Sequence, residues 1–130
     1  PWHQGGRAYH NLLRNPNEIK ELYEETNLLV CLDFSHTYME TNHSKIPFID
    51  SFLGIIEYAD HLHLSDSSSS SSEGLNIDDG HIDFEFILKK IFEFHQKDKI
   101  SFIPEVWQGH INNGEGFKIS LERIARHLST

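Results

Sequence analysis

Three side chains that commonly bind divalent cations each occur with an apolar stretch of this sequence. Asp33 follows NLLVCL, His63 lies within HLHL, and Glu105 follows ISFIP. His63 comes about 30 residues after Asp33, which is roughly the length of one strand-helix unit, and Glu105 comes about 42 residues after His63. Oxygen and imidazole ligands together suit Mn²⁺, Mg²⁺, Co²⁺ or Zn²⁺. Three ligands leave coordination positions open for a substrate, as a catalytic metal requires.

The apolar pattern of the chain predicts strands that alternate with helices. Three short apolar runs are typical of buried parallel strands: residues 27–34, 61–64 and 100–106. Four segments have the spacing or the start signals of helices: residues 15–26, 46–59, 82–96 and 116–128. This order predicts an α/β fold with parallel strands and crossover helices, in an open sheet or in part of a barrel.

Parallel strands of this kind would bring the three candidate ligands together. The carboxyl ends of neighbouring parallel strands meet at one edge of the sheet, and catalytic groups gather there. Each residue also has an ordinary interpretation, since a strand-end Asp can cap the next helix and a lone His can be a satisfied polar group. The recurrence of Asp33, His63 and Glu105 in three successive units favours a shared site. His61 would point to the same side as His63, as an alternative ligand or as a polar residue of the interior.

The composition is that of a single folded domain over residues 1–130, with 38% hydrophobic and 12% aromatic residues. The net charge of −9 argues against a nucleic-acid or anionic-membrane partner, because such binding depends on clustered Lys and Arg. Cys31 is the only cysteine, which excludes an internal disulfide and fits a reducing compartment, so we expect a cytoplasmic protein. No apolar run approaches the roughly 20 residues of a membrane span.

A serine-rich tract, residues 67–72, lies between His63 and the helix predicted from Ile82. The tract is followed by the next unit of the same sheet, which argues against a linker between two domains. Because serine confers flexibility, we predict a mobile loop at the mouth of the site, comparable to a substrate lid. A surface insertion without function is the alternative. Glu73 and Gly74 would form either a lid contact or a plain turn.

Several motifs resemble one known family. CLDFSHTYM (31–39), HLHLSDS (61–67) and FIPEVWQGHINNGEGF (102–117) resemble strand ends of the xylose isomerase-like TIM barrels, which include sugar epimerases and apurinic endonucleases. The resemblance implies the C-terminal half of a (β/α)₈ barrel, with PWHQGGRAYHNL just after the fifth strand. The family's fifth-strand Glu would then lie immediately before Pro1. PEVWQGH and NNGEGF are also similar to a subgroup associated with nonulosonic (sialic acid-type) sugar operons.

The resemblance implies a metal-dependent isomerase or epimerase of a sugar or sugar phosphate, which moves a proton on the carbon next to a carbonyl. Asp33, His63 and Glu105 would hold the metal. Glu105 would also be one of two catalytic carboxylates, and the Glu upstream of Pro1 would be the other. His36 would face the same cavity as a catalytic group that binds a substrate hydroxyl or a second metal.

Seven further residues would contact the substrate at the mouth of the barrel. Arg7 is the best candidate for binding an anionic group, and Trp107 would stack on a sugar, although it could equally belong to the core. Barrels often bind phosphate at a helix N-terminus after the last strands, whereas an ordinary loop is the alternative for the asparagines here. The full substrate-binding set comprises Arg7, His10, Trp107, His110, Asn112, Asn113 and Gly114.

Two other functions are compatible with the sequence. An apurinic endonuclease-like phosphodiesterase would need an Asp-x-His pair in the connection after the seventh strand, and its places fall on Ser72 and Gly74. A metal- or sugar-binding half-barrel without catalysis would result if the second carboxylate is absent. Because half a barrel leaves two open sheet edges, we expect the missing half, or a second copy in a homo-oligomer, as a partner.

Overall fold

The computed structural model of the chain describes residues 2–3, 7–8, 13, 15–95 and 99–129, the first two pairs by their backbone alone. Trp2–His3 (β1) and Arg7–Ala8 (β2) pair antiparallel. Three further strands form a parallel sheet in the order β3-β4-β5. They are Val30–Asp33 (β3), Ala59–Leu64 (β4) and Ser101–Pro104 (β5). The predicted parallel sheet is therefore confirmed.

Three of the helices in the described residues lie inside predicted segments, and the last helix overlaps the predicted segment 116–128 but begins earlier, at Ile111. The helices are Pro16–Thr26 (α1), Phe34–Ser44 (α2), Phe48–Ile55 (α3), Phe84–Phe94 (α4) and Ile111–His127 (α5), with a 3₁₀ turn at Ile56–Tyr58. Asn15 caps α1, since its side chain accepts hydrogen bonds from two N–H groups of the first turn. The sequence did not predict α2. Among the described residues, none of the helices has the length and hydrophobicity of a membrane span.

The parallel sheet has one apolar face and one polar face, because successive side chains of a strand point to opposite sides. Leu32, Leu62 and Leu64 are at most 4% exposed and belong to the hydrophobic core beneath the helices. The opposite face bears Cys31 and Asp33 on β3, which pair in register with His61 and His63 on β4. The polar face is therefore the one that can carry a functional site.

The connection from β4 to α4 is organised around the buried carboxylate of Asp66. Its oxygens accept hydrogen bonds from the N–H groups of Ser67 at 2.7 Å, Gly80 at 2.8 Å and Ile82 at 3.0 Å. A Cβ at Gly80 would lie 2.3 Å from Asp66 Oδ1, so this turn requires glycine. Burial raises the pKa of Asp66, and the backbone hydrogen bonds oppose that shift.

The serine tract within this connection makes hydrogen bonds of its own. Ser72 Oγ accepts from the N–H groups of Ser68 at 2.8 Å and Ser69 at 2.9 Å. The mobility of residues 67–72 stays a prediction, and these hydrogen bonds are among the contacts that a moving loop would have to break.

Candidate metal centre

Asp33 ends β3 and caps α2, and its two carboxylate oxygens have different surroundings. Oδ1 accepts hydrogen bonds from the N–H of His36 at 2.9 Å and from Ser35 Oγ at 3.2 Å. Oδ2 lies 3.8 Å from Nδ1 of His63. The capping interpretation is thus confirmed, and it leaves Oδ2 of Asp33 available to bind a cation.

His63 and Glu105 come from the next two strand ends. His63 is opposite Asp33 in the register of β3 and β4, and its Nδ1 also contacts Glu105 Oε2 directly. Glu105 follows β5 by one residue, and its N–H donates to the carbonyl of Leu64 at 3.0 Å, which continues the strand pairing. The side chain of Glu105 is 53% exposed, so the carboxylate lies at the open edge of the sheet.

One ligand atom from each of Asp33, His63 and Glu105 lies within 4.8 Å of the other two. Ligand atoms stand about 2.0–2.6 Å from a bound divalent cation, so small side-chain movements would let all three reach one ion. Two carboxylates with one imidazole form a donor set for hard to borderline cations. The residues present therefore fit a divalent metal, and their role as ligands stays a prediction.

His36 lies in the first turn of α2, beside this group of atoms. Its Nδ1 is 3.8 Å from Asp33 Oδ2, and its Nε2 is 3.0 Å from Glu73 Oε2. Glu73 immediately follows the serine tract, so the connection after β4 places a carboxylate next to the candidate centre. Sequence reasoning gave Glu73 only as a lid contact or a turn, because an irregular loop has no periodicity that would reveal such a contact.

Cys31 and His61 lie on the same face of the sheet, two residues before Asp33 and His63. One ligand atom from each of Cys31, His61 and His63 lies within 4.8 Å of the other two. Burial and then the nearby carboxylates of Asp33 and Glu105 raise the pKa of the Cys31 thiol. The two-residue alternation of each strand could have signalled this second cluster.

Trp107 lies on the surface after β5. It is 70% exposed, so the alternative that placed its side chain in the core is wrong. Its N–H donates to the carbonyl of Gly74 at 2.8 Å, and a Cβ on Gly74 would lie 2.8 Å from that nitrogen. This close approach joins the loop after β5 to the loop that carries Glu73. Stacking of Trp107 on a sugar stays a prediction.

The other predicted substrate-binding residues of this loop lie at the start of α5. His110 is exposed at the first cap position, and no side-chain hydrogen bond caps the helix there. Asn112, Asn113 and Gly114 have φ angles of 54°, 60° and 79°, which form a left-handed turn before the regular helix. Asn112 Nδ2 donates to Glu115 Oε2 at 3.0 Å. Their contact with a substrate stays a prediction.

Two predicted substrate-binding side chains lie outside the described residues. The backbone of Arg7 belongs to β2, but the structure does not describe its side chain. His10 is not among the described residues. Their predicted contacts with substrate therefore stay predictions.

The comparisons with known proteins agree with this architecture. A family model, the xylose isomerase-like TIM barrel, matches residues 3–127. The chain therefore belongs to the xylose isomerase-like TIM barrel family, and its three parallel strands with intervening helices are part of such a barrel. The family includes sugar isomerases and epimerases as well as endonuclease-like enzymes, and its members often bind divalent metals. A search of the curated proteins found no match.

Proposed function

We propose that this chain forms the metal-binding part of an isomerase or epimerase that acts on a sugar or sugar phosphate by proton transfer next to a carbonyl. The observation that carries the proposal is the convergence of Asp33, His63 and Glu105 within 4.8 Å. They converge at the carboxyl ends of three neighbouring parallel strands, the edge where TIM-barrel active sites lie. Membership of the family supports the same reaction class.

Asp33, His63 and Glu105 would hold one divalent cation of the Mn²⁺, Mg²⁺, Co²⁺ or Zn²⁺ type. When bound, the metal would supply Lewis-acid polarisation of substrate oxygens next to the reacting carbon. Imidazole and carboxylate groups bind a cation in their deprotonated forms, so protons compete with the cation for His63 and Glu105. Binding is therefore expected to weaken at low pH.

Within this proposal, Glu105 has a second role as a proton acceptor and donor at the carbon next to the carbonyl. Its partly exposed carboxylate lies at the open edge of the sheet, where a substrate can reach it. His36 would bind a substrate hydroxyl, and the 3.0 Å contact with Glu73 would fix the orientation of its imidazole. These roles need a carboxylate and a correctly oriented ring within reach of one substrate.

The structure gives less support to an apurinic endonuclease-like phosphodiesterase. That function needs further ligands at positions 72 and 74. Ser72 Oγ is hydrogen-bonded to the backbone of its own loop, and Gly74 has no side chain. The net charge of −9 would also oppose the approach of a phosphate backbone.

The two edges of the parallel sheet would also need further strands to complete a barrel. β3 and β5 are the outer strands of the parallel sheet in the described part of the chain. We propose that further barrel strands, or a second copy of the chain, cover these edges. The lone cysteine supports a reducing, cytoplasmic environment for this assembly.

The cation site is tested by Mn²⁺ titration, in which electron paramagnetic resonance measures the concentration of free ion. His63→Ala and Glu105→Gln are each expected to weaken Mn²⁺ binding at least about tenfold, because each removes one of three ligands. Glu122→Gln, an exposed substitution on α5, serves as the control and should bind Mn²⁺ as the unmodified chain does. If both ligand variants keep full affinity, the site is assigned wrongly.

The reaction is tested on the complete barrel, including the Glu expected before Pro1, by incubation with a panel of keto-sugars and keto-sugar phosphates in D₂O. We expect metal-dependent deuterium incorporation at the carbon next to the carbonyl, detected by NMR, and its loss in Glu105→Gln. Cation binding without any exchange, with every substrate of the panel, would instead favour the metal- or sugar-binding half-barrel without catalysis.

A further inference from the structure

A second cluster of metal-binding atoms lies on the polar face of the sheet, one step towards the amino ends of the strands. Cys31 and His61 are register partners on β3 and β4, just as Asp33 and His63 are. The Sγ atom of Cys31 and one ring nitrogen from each of His61 and His63 lie within 4.8 Å of one another. This arrangement follows from strand geometry, because residues two apart share a face.

The ring of His61 is held by a neighbour on the third strand. Nδ1 of His61 lies 2.7 Å from Ser101 Oγ, and the same hydroxyl donates to the carbonyl of Asp60 at 3.4 Å. We assign the neutral ring of His61 as the Nδ1–H tautomer, in which Ser101 Oγ accepts from Nδ1–H and donates its own hydrogen to the carbonyl of Asp60. That assignment leaves the lone pair of Nε2 free to bind a cation. Hydrogen bonds of this kind commonly orient metal-binding histidines.

We propose that Cys31, His61 and His63 form a second cation site, selective for a borderline or soft divalent ion such as Zn²⁺, Co²⁺ or Cd²⁺. One thiolate with two imidazoles is a donor set for these ions, whereas Mg²⁺ and Mn²⁺ prefer oxygen ligands. Zn–S and Zn–N bonds of about 2.3 and 2.0–2.1 Å place the ligand atoms of one ion about 3–4 Å apart. The observed cluster needs only a small contraction to reach that spacing.

Binding at this site has a definite proton balance. A cysteine binds a metal ion through its thiolate, so the thiol of Cys31 must lose its proton on binding. One proton leaves the thiol for solvent as the sulfur–metal bond forms, and no electron is transferred. The divalent charge then offsets the repulsion between the thiolate and the carboxylates of Asp33 and Glu105.

The two cation sites share the imidazole of His63 but differ in their other ligands. Glu105 belongs to the carboxylate-rich centre alone, whereas Cys31 and His61 belong to the thiolate site alone. The second site does not depend on the isomerase proposal, because it concerns cation binding and not turnover. Single substitutions can therefore separate the two sites.

The experiment is a Co²⁺ titration of the whole chain, in which the sulfur-to-cobalt charge-transfer band in the near ultraviolet measures binding at the thiolate site. In Glu105→Gln, which weakens the carboxylate-rich centre, we expect the band to saturate at one cobalt ion per chain. Cys31→Ser removes the only cysteine, so the band should be absent there. His61→Ala should weaken cobalt binding at least about tenfold by removing a ligand. Glu105→Gln should keep the band while it weakens binding of Mn²⁺.

Ser101 is a positioning residue, so its substitution tests the orientation of His61 without removing a ligand. Ser101→Ala should lower the cobalt affinity measured from this band about tenfold. Ser101→Thr, which restores the hydroxyl, should recover the affinity. Circular dichroism of each variant checks that the fold is intact.

Three results would overturn the thiolate site. The first is the absence of a charge-transfer band at saturating Co²⁺. The second is a band of full affinity in a folded His61→Ala variant. The third is saturation at half a cobalt ion per chain, which would mean that two chains share the ion through their cysteines. A normal Mn²⁺ titration of the unmodified chain without Co²⁺ would show that the carboxylate-rich centre stands even where the thiolate site fails.

Discussion

His36 Nε2 and Glu73 Oε2 lie 3.0 Å apart, although 37 residues separate them in the chain. The contact joins the first turn of α2 to the loop after the serine tract, next to the carboxylate of Asp33. The same loop is attached to the following one through the hydrogen bond from Trp107 N–H to Gly74 O. Two loops and the start of a helix thus meet around the candidate centre.

The contact between His36 and Glu73 should affect turnover more than cation binding. Glu73→Gln removes the charge that orients the imidazole, but Glu73 is not in the group formed by Asp33, His63 and Glu105. We expect deuterium exchange to fall at least about tenfold while Mn²⁺ affinity stays within about twofold. Glu122→Gln is the matched control. An unchanged exchange rate would remove His36 and Glu73 from the catalytic proposal.

Asp66 should be important for stability, because its carboxylate satisfies three buried or partly buried N–H groups. In Asp66→Asn, whichever oxygen becomes the amide nitrogen, that NH₂ group faces at least one of these N–H donors. We expect the free energy of unfolding to fall by about 1–3 kcal/mol, measured by urea denaturation. Asp60→Asn, an exposed substitution on β4, should change it by less than about 0.5 kcal/mol. Equal losses in both variants would contradict the role of Asp66.

The raised pKa of Asp66 also has a sign that can be measured. Folding favours the protonated carboxyl, so its contribution to stability is complete below its ordinary pKa and is lost as pH rises through the raised value. The unfolding free energy of the unmodified chain minus that of Asp66→Asn should therefore decrease from acidic towards neutral pH. Subtraction of the variant cancels the other carboxylates to first order. A difference that increases with pH would show that the hydrogen bonds, and not burial, determine this pKa.

Ser72 should control the local stability of the serine tract. Ser72→Ala removes the acceptor for the N–H groups of Ser68 and Ser69. We expect exchange of these two amides to accelerate by a factor of about 3–10, which corresponds to the loss of about 0.5–1.5 kcal/mol per hydrogen bond. Ser70→Ala in the same tract is the control, and amide exchange followed by NMR is the measurement. No acceleration in Ser72→Ala would mean that this tract is already open in solution.

The sheet and the meeting of three strand-end residues were predictable from the sequence because both follow from local rules. Apolar runs of strand length predict β3, β4 and β5, and equivalent positions in successive units predict that Asp33 and His63 are neighbours. Asn15 and Pro16 similarly predicted the start of α1 through backbone capping alone.

The remaining features depend on tertiary contacts or on weak local signals. α2, with the sequence FSHTYMETNHS, lacks a clear apolar stripe, so the sequence indicated capping by Asp33 only as an alternative and did not predict the helix itself. The approach of Glu73 to His36 depends on how an irregular loop folds around Asp66, which no spacing rule gives. The exposure of Trp107 likewise reflects the path of the loop after β5 and not a property of tryptophan.

The two carboxylate oxygens of Asp33 have different partners, and this connects cation binding to the stability of the first turn of α2. One oxygen holds the amide of His36, and the other faces the imidazole of His63. Occupancy of the ion site and fraying of the first turn of α2 are then thermodynamically linked, and the linkage is reciprocal. Cation binding should therefore slow hydrogen exchange of the His36 amide with solvent. Conversely, a molecule that stabilises the first turn of α2 should raise the cation affinity of the site without contacting the cation.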